Sequence, residues 1–219
     1  MVRARLSAPL LLVPTLLFAG CGSNAPEIPP ELLATSGGCG APSYPSEPYG
    51  REEGDVLENA CFRGFRAPDT IEPSAERLET LAFSDSYDPQ GTKRISLLLI
   101  NTAAIWCGPC QREHEDLDQR AAMYAPQGLT ILSTLFQDAN HNPATETDLV
   151  NWVETFDTNF QMAVDPAYQL KRYTQADTAP LNLIVDPRSM TILRKFIGEQ
   201  PTVMWPYIES ELERRAGSE

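Results

Sequence analysis

The chain has 219 residues, 17 of them basic and 30 acidic, for a net charge of −13. So acidic a chain excludes nucleic acid and anionic headgroups as its main electrostatic partners. Its apolar fraction of 42% is that of an ordinary globular protein, sufficient for one sizeable core.

Arg3 and Arg5 precede an apolar run over 6–18, interrupted by Pro9 and Pro14. The run is shorter than the roughly 20 residues that cross a bilayer and reads as an export signal occupying 1–20. Ala19-Gly20-Cys21 supplies the small residues and cysteine of a bacterial lipoprotein processing site, which makes Cys21 the candidate lipidation residue. An ordinary cleaved signal and an uncleaved anchor are the alternatives. Removal of 1–20 takes away two arginines and no acids, leaving 15 basic and 30 acidic residues, a charge of −15. Residues 21–54 contain six Pro, six Gly and four Ser, the composition of a tether with little core of its own. Tyr44 and Tyr49 give its distal part the means to dock on a domain.

A single domain is predicted over 55–219. Residues 56–65 suit a short strand or hairpin, and 74–81 have helical spacing. The apolar run at 95–101 reads as a buried strand, and 107–124 as a helix. A second buried strand follows at 128–136. The helix at 145–156 gathers Leu149, Trp152, Val153 and Phe156 on one face. A short strand at 160–164 and a short helix at 167–173 come next. Strands at 181–185 and 191–197 flank Asp186-Pro187-Arg188-Ser189, a hairpin turn, and a helix at 203–215 ends the pattern. Alternating strands and helices followed by an antiparallel pair predict an α/β fold. Its mixed central sheet would carry helices on both faces and a short N-terminal extension. No internal repeat is visible, and no segment after the signal is long enough to span a membrane.

The chemistry concentrates in Trp106-Cys107-Gly108-Pro109-Cys110. A strand that delivers a Cys-x-x-Cys pair to a helix N-terminus makes a thiol acidic, because unpaired N–H groups and the helix dipole favour the thiolate. Cys107 is the candidate nucleophile. Cys110, expected to be the more buried, is the candidate resolving thiol. Pro109 is tolerated in a first turn, Gly108 leaves the loop unencumbered, and Trp106 shields the pair from one side. A purely structural disulfide is the bland alternative. With no second cysteine pair at ligand spacing, no metal is implied, and the redox disulfide itself is the only cofactor. Glu113 shares a helix face with the pair, where a buried carboxylate can exchange a proton with Cys110. A solvent-facing glutamate is the alternative. His114 and His141 read as surface residues. Cys39 and Cys61 remain, and in an oxidising compartment they are expected to pair; the alternative is that one of them forms a mixed disulfide or passes electrons to Cys107.

These residues resemble the thioredoxin superfamily, in particular the TlpA/ResA-like group of membrane-tethered thiol-disulfide oxidoreductases. The likeness covers about 55–215 and is most specific from Asn101 through Leu117. It implies a thioredoxin-like fold and a role for Glu113 as proton relay, since Asn101 stands where cytoplasmic thioredoxins carry a buried aspartate. It places the group's cis-proline at Ala179-Pro180, with alanine where relatives more often carry Thr, Val or Ile. Gly108-Pro109 is the pair of strongly reducing thioredoxins, with potentials near −270 mV. The implied partners are protein thiols and disulfides, a membrane electron donor, and the membrane itself through a lipid anchor. The implied location is the bacterial cell envelope, facing the periplasm or the exterior. A thiol peroxidase of the same fold and a redox-inactive envelope binding module are the competing readings.

Overall fold

A computed structural model of the chain describes residue 39 and residues 43–174 and 178–217. The signal at 1–20, Cys21 and the tether up to 38 lie outside the described residues. Seven strands form one mixed sheet: β1 (Cys61–Phe65), β2 (Glu79–Ala82), β3 (Leu97–Ala104), β4 (Leu129–Gln137), β5 (Gln161–Val164), β6 (Leu181–Asp186) and β7 (Thr191–Ile197). Among the described residues three α-helices accompany them: α1 (Gly108–Tyr124), α2 (Glu146–Phe156) and α3 (Pro201–Ala216). The strand order is β2-β1-β5-β4-β3-β6-β7. Among the described residues no helix is long and apolar enough to cross a membrane.

Strand β3 is buried along all eight residues. It pairs parallel with β4 on one side and antiparallel with β6 on the other. Its side chains alternate between two cores, with Leu97 and Leu99 in one and Leu98 and Ile100 in the other. Each fully buried leucine contributes about 1.5–3 kcal/mol. Gly128 makes the turn from α1 into β4, with φ at +88°, and a Cβ there would lie 2.8 Å from the Arg94 carbonyl oxygen. Helix α2 starts on a capping box: Thr145 Oγ1 accepts the Asp148 N–H at 3.1 Å, and Asp148 Oδ2 accepts the Thr145 N–H at 2.8 Å.

Helices flank the sheet as the sequence predicts, but among the described residues the α-helices share one face and only 3-10 helices lie on the other. Residues from α1, α2 and α3 all join one core, through Leu117, Leu149, Trp152, Met204, Trp205 and Ile208. The connectivity explains this for α1 and α2. The chain steps from β3 to β4 to β5 in one direction, so right-handed crossovers put α1 and α2 on the same side. The opposite core is closed by Leu57, Phe83 and Met190, and by Leu170 and Tyr173 from the 3-10 helix Gln169–Tyr173. The expected short helix at 167–173 thus takes 3-10 form. The helix predicted at 74–81 is only one 3-10 turn, Ala75–Arg77, before β2 pairs with β1. The strand predicted from 56 begins at Cys61, and Val56 instead makes an isolated bridge to Thr191.

Packing begins ahead of the predicted boundary at 55. Tyr44 Oη donates to the Leu57 carbonyl at 2.8 Å and its ring sits edge-on to Tyr87. The Gly54 N–H donates to the Ile192 carbonyl at 2.8 Å, and Glu52 pairs with Lys195 at 2.7 Å. The last residues of the expected tether therefore lie along edge strand β7, where they satisfy part of its exposed backbone. Cys39 and Cys61 are joined, with Cα atoms 5.9 Å apart. Cys61 opens β1 beyond the C-terminal end of β5, because Arg63 is already opposite Val164. It lies at the end of the sheet where β3, β4 and β5 all finish.

Candidate redox site

The site grows out of the C-terminal end of β3. After Ala104 the chain turns, and the Cys107 N–H donates to the Ala104 carbonyl at 3.0 Å. Cys107 is the N-cap of α1, and its Sγ accepts the Cys110 N–H at 3.2 Å. Helix-terminal N–H groups of this kind stabilise negative charge on sulfur. Pro109 occupies the first turn, where its missing N–H leaves no helical bond unmade. Cys107 and Cys110 are bonded, with Cα atoms 5.2 Å apart. Both are 2% exposed, so the expected difference in burial is absent in this oxidised form. A Cβ at Gly108 would meet only Arg112 Nη1 at 3.8 Å, so no steric demand enforces that glycine.

Trp106 is the exposed member of the motif, at 37%. Its Nε1 donates to Gln137 Oε1 at 3.0 Å, and its ring lies 4.8 Å from that of His141. Together with Phe136, Tyr168 and Ala179 these residues line a groove of about 400 Å³ beside the cysteines. The Ala179–Pro180 peptide bond is cis. The Leu181 N–H donates to Thr102 Oγ1 at 3.0 Å, which fixes this turn against the end of β3 that leads to Cys107.

Glu113 is buried at 3% exposure, one turn beyond Cys110. Asn101 Nδ2 donates to its Oε2 at 2.8 Å, and Asn182 Nδ2 donates to its Oε1 at 3.0 Å. Asn101 and Asn182 face each other in the β3–β6 register and share a further bond of 2.9 Å. Ser133 Oγ of β4 donates to Asn101 Oδ1 at 2.6 Å. Burial pushes the Glu113 carboxyl up to about 7, and the two asparagine bonds only partly oppose that rise. A carboxyl near neutrality can accept and release a proton at working pH.

Asn182 and Ser133 do not figure in the sequence reading. Their signal is a polar residue interrupting an apolar strand, as in Leu181-Asn182-Leu183 and Leu132-Ser133. His114 corrects an expectation. It is buried beneath α2 and not on the helix surface. Its Nδ1 accepts from Trp152 Nε1 at 3.2 Å, which leaves Nε2 to donate to Thr158 Oγ1 at 2.7 Å. Burial depresses its pKa to about 3, so the ring is a neutral structural link between α1 and α2. Cys39 and Cys61 lie in a separate pair, away from the Cys107–Cys110 bond.

No protein-family model matches the chain. The thiol-disulfide oxidoreductase ResA of Bacillus cereus (strain ZK / E33L) is 25% identical over 103 residues, which are 47% of this chain and 56% of ResA. The chain thus aligns with just over half the length of that relative. A Chlorobium tepidum structure named as a thiol:disulfide interchange protein DsbE superposes with a TM-score of 0.57 at 20% identity, over 74% of this chain and 99% of the other. The thioredoxin domain of a thiol-disulfide oxidoreductase from Bacteroides vulgatus gives 0.55 at 13% identity, over 74% and 98%. The fold is thioredoxin-like.

Proposed function

We propose that this thioredoxin-like chain, similar in sequence to ResA, is an extracytoplasmic thiol-disulfide oxidoreductase that reduces protein disulfides. The observation that carries the reading is the Cys107–Cys110 pair at the N-terminus of α1, with the carboxyl of Glu113 buried one turn behind it. In the reduced protein the Cys107 thiolate attacks a substrate disulfide. A mixed disulfide forms, and the first substrate sulfur leaves as a thiolate that takes a proton from water. Cys110 then gives its proton to the Glu113 carboxylate and attacks Cys107 Sγ, releasing the second substrate thiolate. Two electrons pass from the dithiol to the substrate, and the Cys107–Cys110 bond is restored. Asn101 and Asn182 hold the acceptor carboxylate in place. The groove between Trp106 and Ala179 receives the peptide that carries the target cysteine.

The N-terminal sequence supports export, with Cys21 as the lipid-bearing residue. A reductant in that compartment takes its electrons from a membrane donor. The test is the reduction potential of the Cys107–Cys110 couple in the full-length protein, followed by alkylation and mass analysis across thiol buffers. A reversible couple near −270 mV supports a reductant. A couple near −120 mV reverses the direction of exchange, and a pair that never cycles rejects the enzyme.

A further inference from the structure

Glu113 borders more than the asparagine network. A cleft of about 500 Å³ runs between α1 and α3, and Glu113 lines it with Arg112, Asp116, Arg120, Glu199 and Trp205. The charged groups in this cleft are paired in two sets. Arg120 lies 3.4 Å from Asp116 and 3.3 Å from Glu209, and Asp116 also bonds Trp205 Nε1. Arg112 and Glu199 form a separate bidentate pair, with Nε to Oε1 at 3.1 Å and Nη2 to Oε2 at 2.6 Å. This second pair joins α1 to the turn between β7 and α3. Groups from the sheet that face Glu113 are the neutral side chains of Asn101 and Asn182.

An exposed ion pair contributes little to stability, about 0–1 kcal/mol. Its charges still act on a neighbouring carboxyl a few ångströms away, reduced but not abolished by water and salt, here with Arg112 largely exposed and Glu199 less so. Arg112 immediately precedes Glu113 in α1, and Glu199 shares its cleft. Negative charge on Glu199 and on Asp116 disfavours ionisation of Glu113. Asp116 is held by Arg120 and Trp205, whereas Glu199 is neutralised by Arg112 alone among the described ion pairs.

We propose that the Arg112–Glu199 ion pair is a positioning pair for the proton-transfer step, setting the protonation of Glu113 across the α1–α3 cleft. This rests on the reading of Glu113 as the acceptor of the Cys110 proton. Loss of Glu199 leaves Arg112 uncompensated and favours the Glu113 carboxylate. Loss of Arg112 leaves Glu199 uncompensated and favours the protonated acid. The two substitutions therefore act in opposite directions on a residue that neither of them alters.

The test titrates Glu113 by carboxyl 13C NMR in the oxidised full-length protein, with the resonance assigned through Glu113→Gln. Glu199→Gln should lower its midpoint and Arg112→Gln should raise it, each by about half a pH unit, a threefold change in the protonated-to-ionised ratio. Glu199→Asp, which keeps the charge, should stay near wild type. In the reduced protein the pH profile of single-turnover disulfide reduction should move the same way. Midpoints that do not move, or that move together, overturn the proposal, as does a rate profile that stays fixed while they separate. If the midpoints separate as expected but no form of the protein cycles its disulfide, the enzymatic reading fails and with it the proton-transfer role, leaving only an electrostatic coupling.

Discussion

Replacing Glu113 with glutamine isolates the cost of keeping an ionisable group at the heart of the fold. In the unfolded chain the carboxyl titrates at its ordinary value of 4.5, and in the folded protein burial raises it to about 7. Between those values the folded state binds the proton that the unfolded state has released. The native state is therefore favoured below about pH 4.5, and this contribution is lost as pH rises through about 7. A rise from 4.5 to about 7, at about 1.4 kcal/mol per unit, amounts to about 3 kcal/mol. Glutamine cannot ionise. Its amide also meets Asn101 and Asn182 differently, but that offset does not change with pH. The assay is urea unfolding of both oxidised proteins from about pH 4 to about pH 8. The stability of Glu113→Gln relative to wild type should climb by about 3 kcal/mol across that range. A difference that stays flat, or that runs the other way, would refute the buried-acid reasoning.

Three further outcomes are expected. Cys110→Ser should stall exchange at the mixed disulfide, so that a substrate peptide stays covalently attached to Cys107 and is visible by mass spectrometry, whereas Cys107→Ser should give no adduct. Replacing Cys39 and Cys61 with serine opens a link between residues 22 positions apart and should lower stability by about 3 kcal/mol in chemical unfolding, without changing the potential of the Cys107–Cys110 couple. His114→Gln should remove an acid sensitivity. The ring titrates at about 3 when folded against 6.5 when unfolded, so its contribution is present above about pH 6.5 and falls by about 3 kcal/mol on descent to about pH 4. In unfolding curves the stability of wild type relative to His114→Gln should therefore fall by about 3 kcal/mol between about pH 7 and about pH 4.

The strands that build the site were legible because they are buried on both sides and read as continuous apolar runs, as β3, β4 and β6 do. The Cys-x-x-Cys pair was legible because its chemistry is local: a strand, a cap and a first turn. Glu113 was legible through helix spacing alone. What escaped depends on contacts distant in sequence. Residues 74–81 carry Leu78 and Leu81 at a helical interval, yet pairing with β1 makes the second half a strand, and eight residues are too few for periodicity to decide. His114 follows Glu113 on an apparently polar helix, and only the packing of Trp152, Phe156 and Phe160 around its ring buries it. Asn182 becomes informative once register sets it opposite Asn101, 81 residues earlier. That α1 and α2 share one face follows from strand order, which no local pattern encodes.

The join between Cys39 and Cys61 also fixes where a leash would enter the molecule. Cys61 sits at the end of the sheet that bears Cys107, and three inter-strand steps of about 4.8 Å separate β1 from β3, about 14 Å in all. For a protein held to a bilayer at Cys21, only the 18 positions from Cys21 to Cys39 remain to be paid out. Fully extended, they reach about 60 Å. The dithiol would thus ride on the moored end of the body, and its working radius would be measured from the membrane rather than from open solvent.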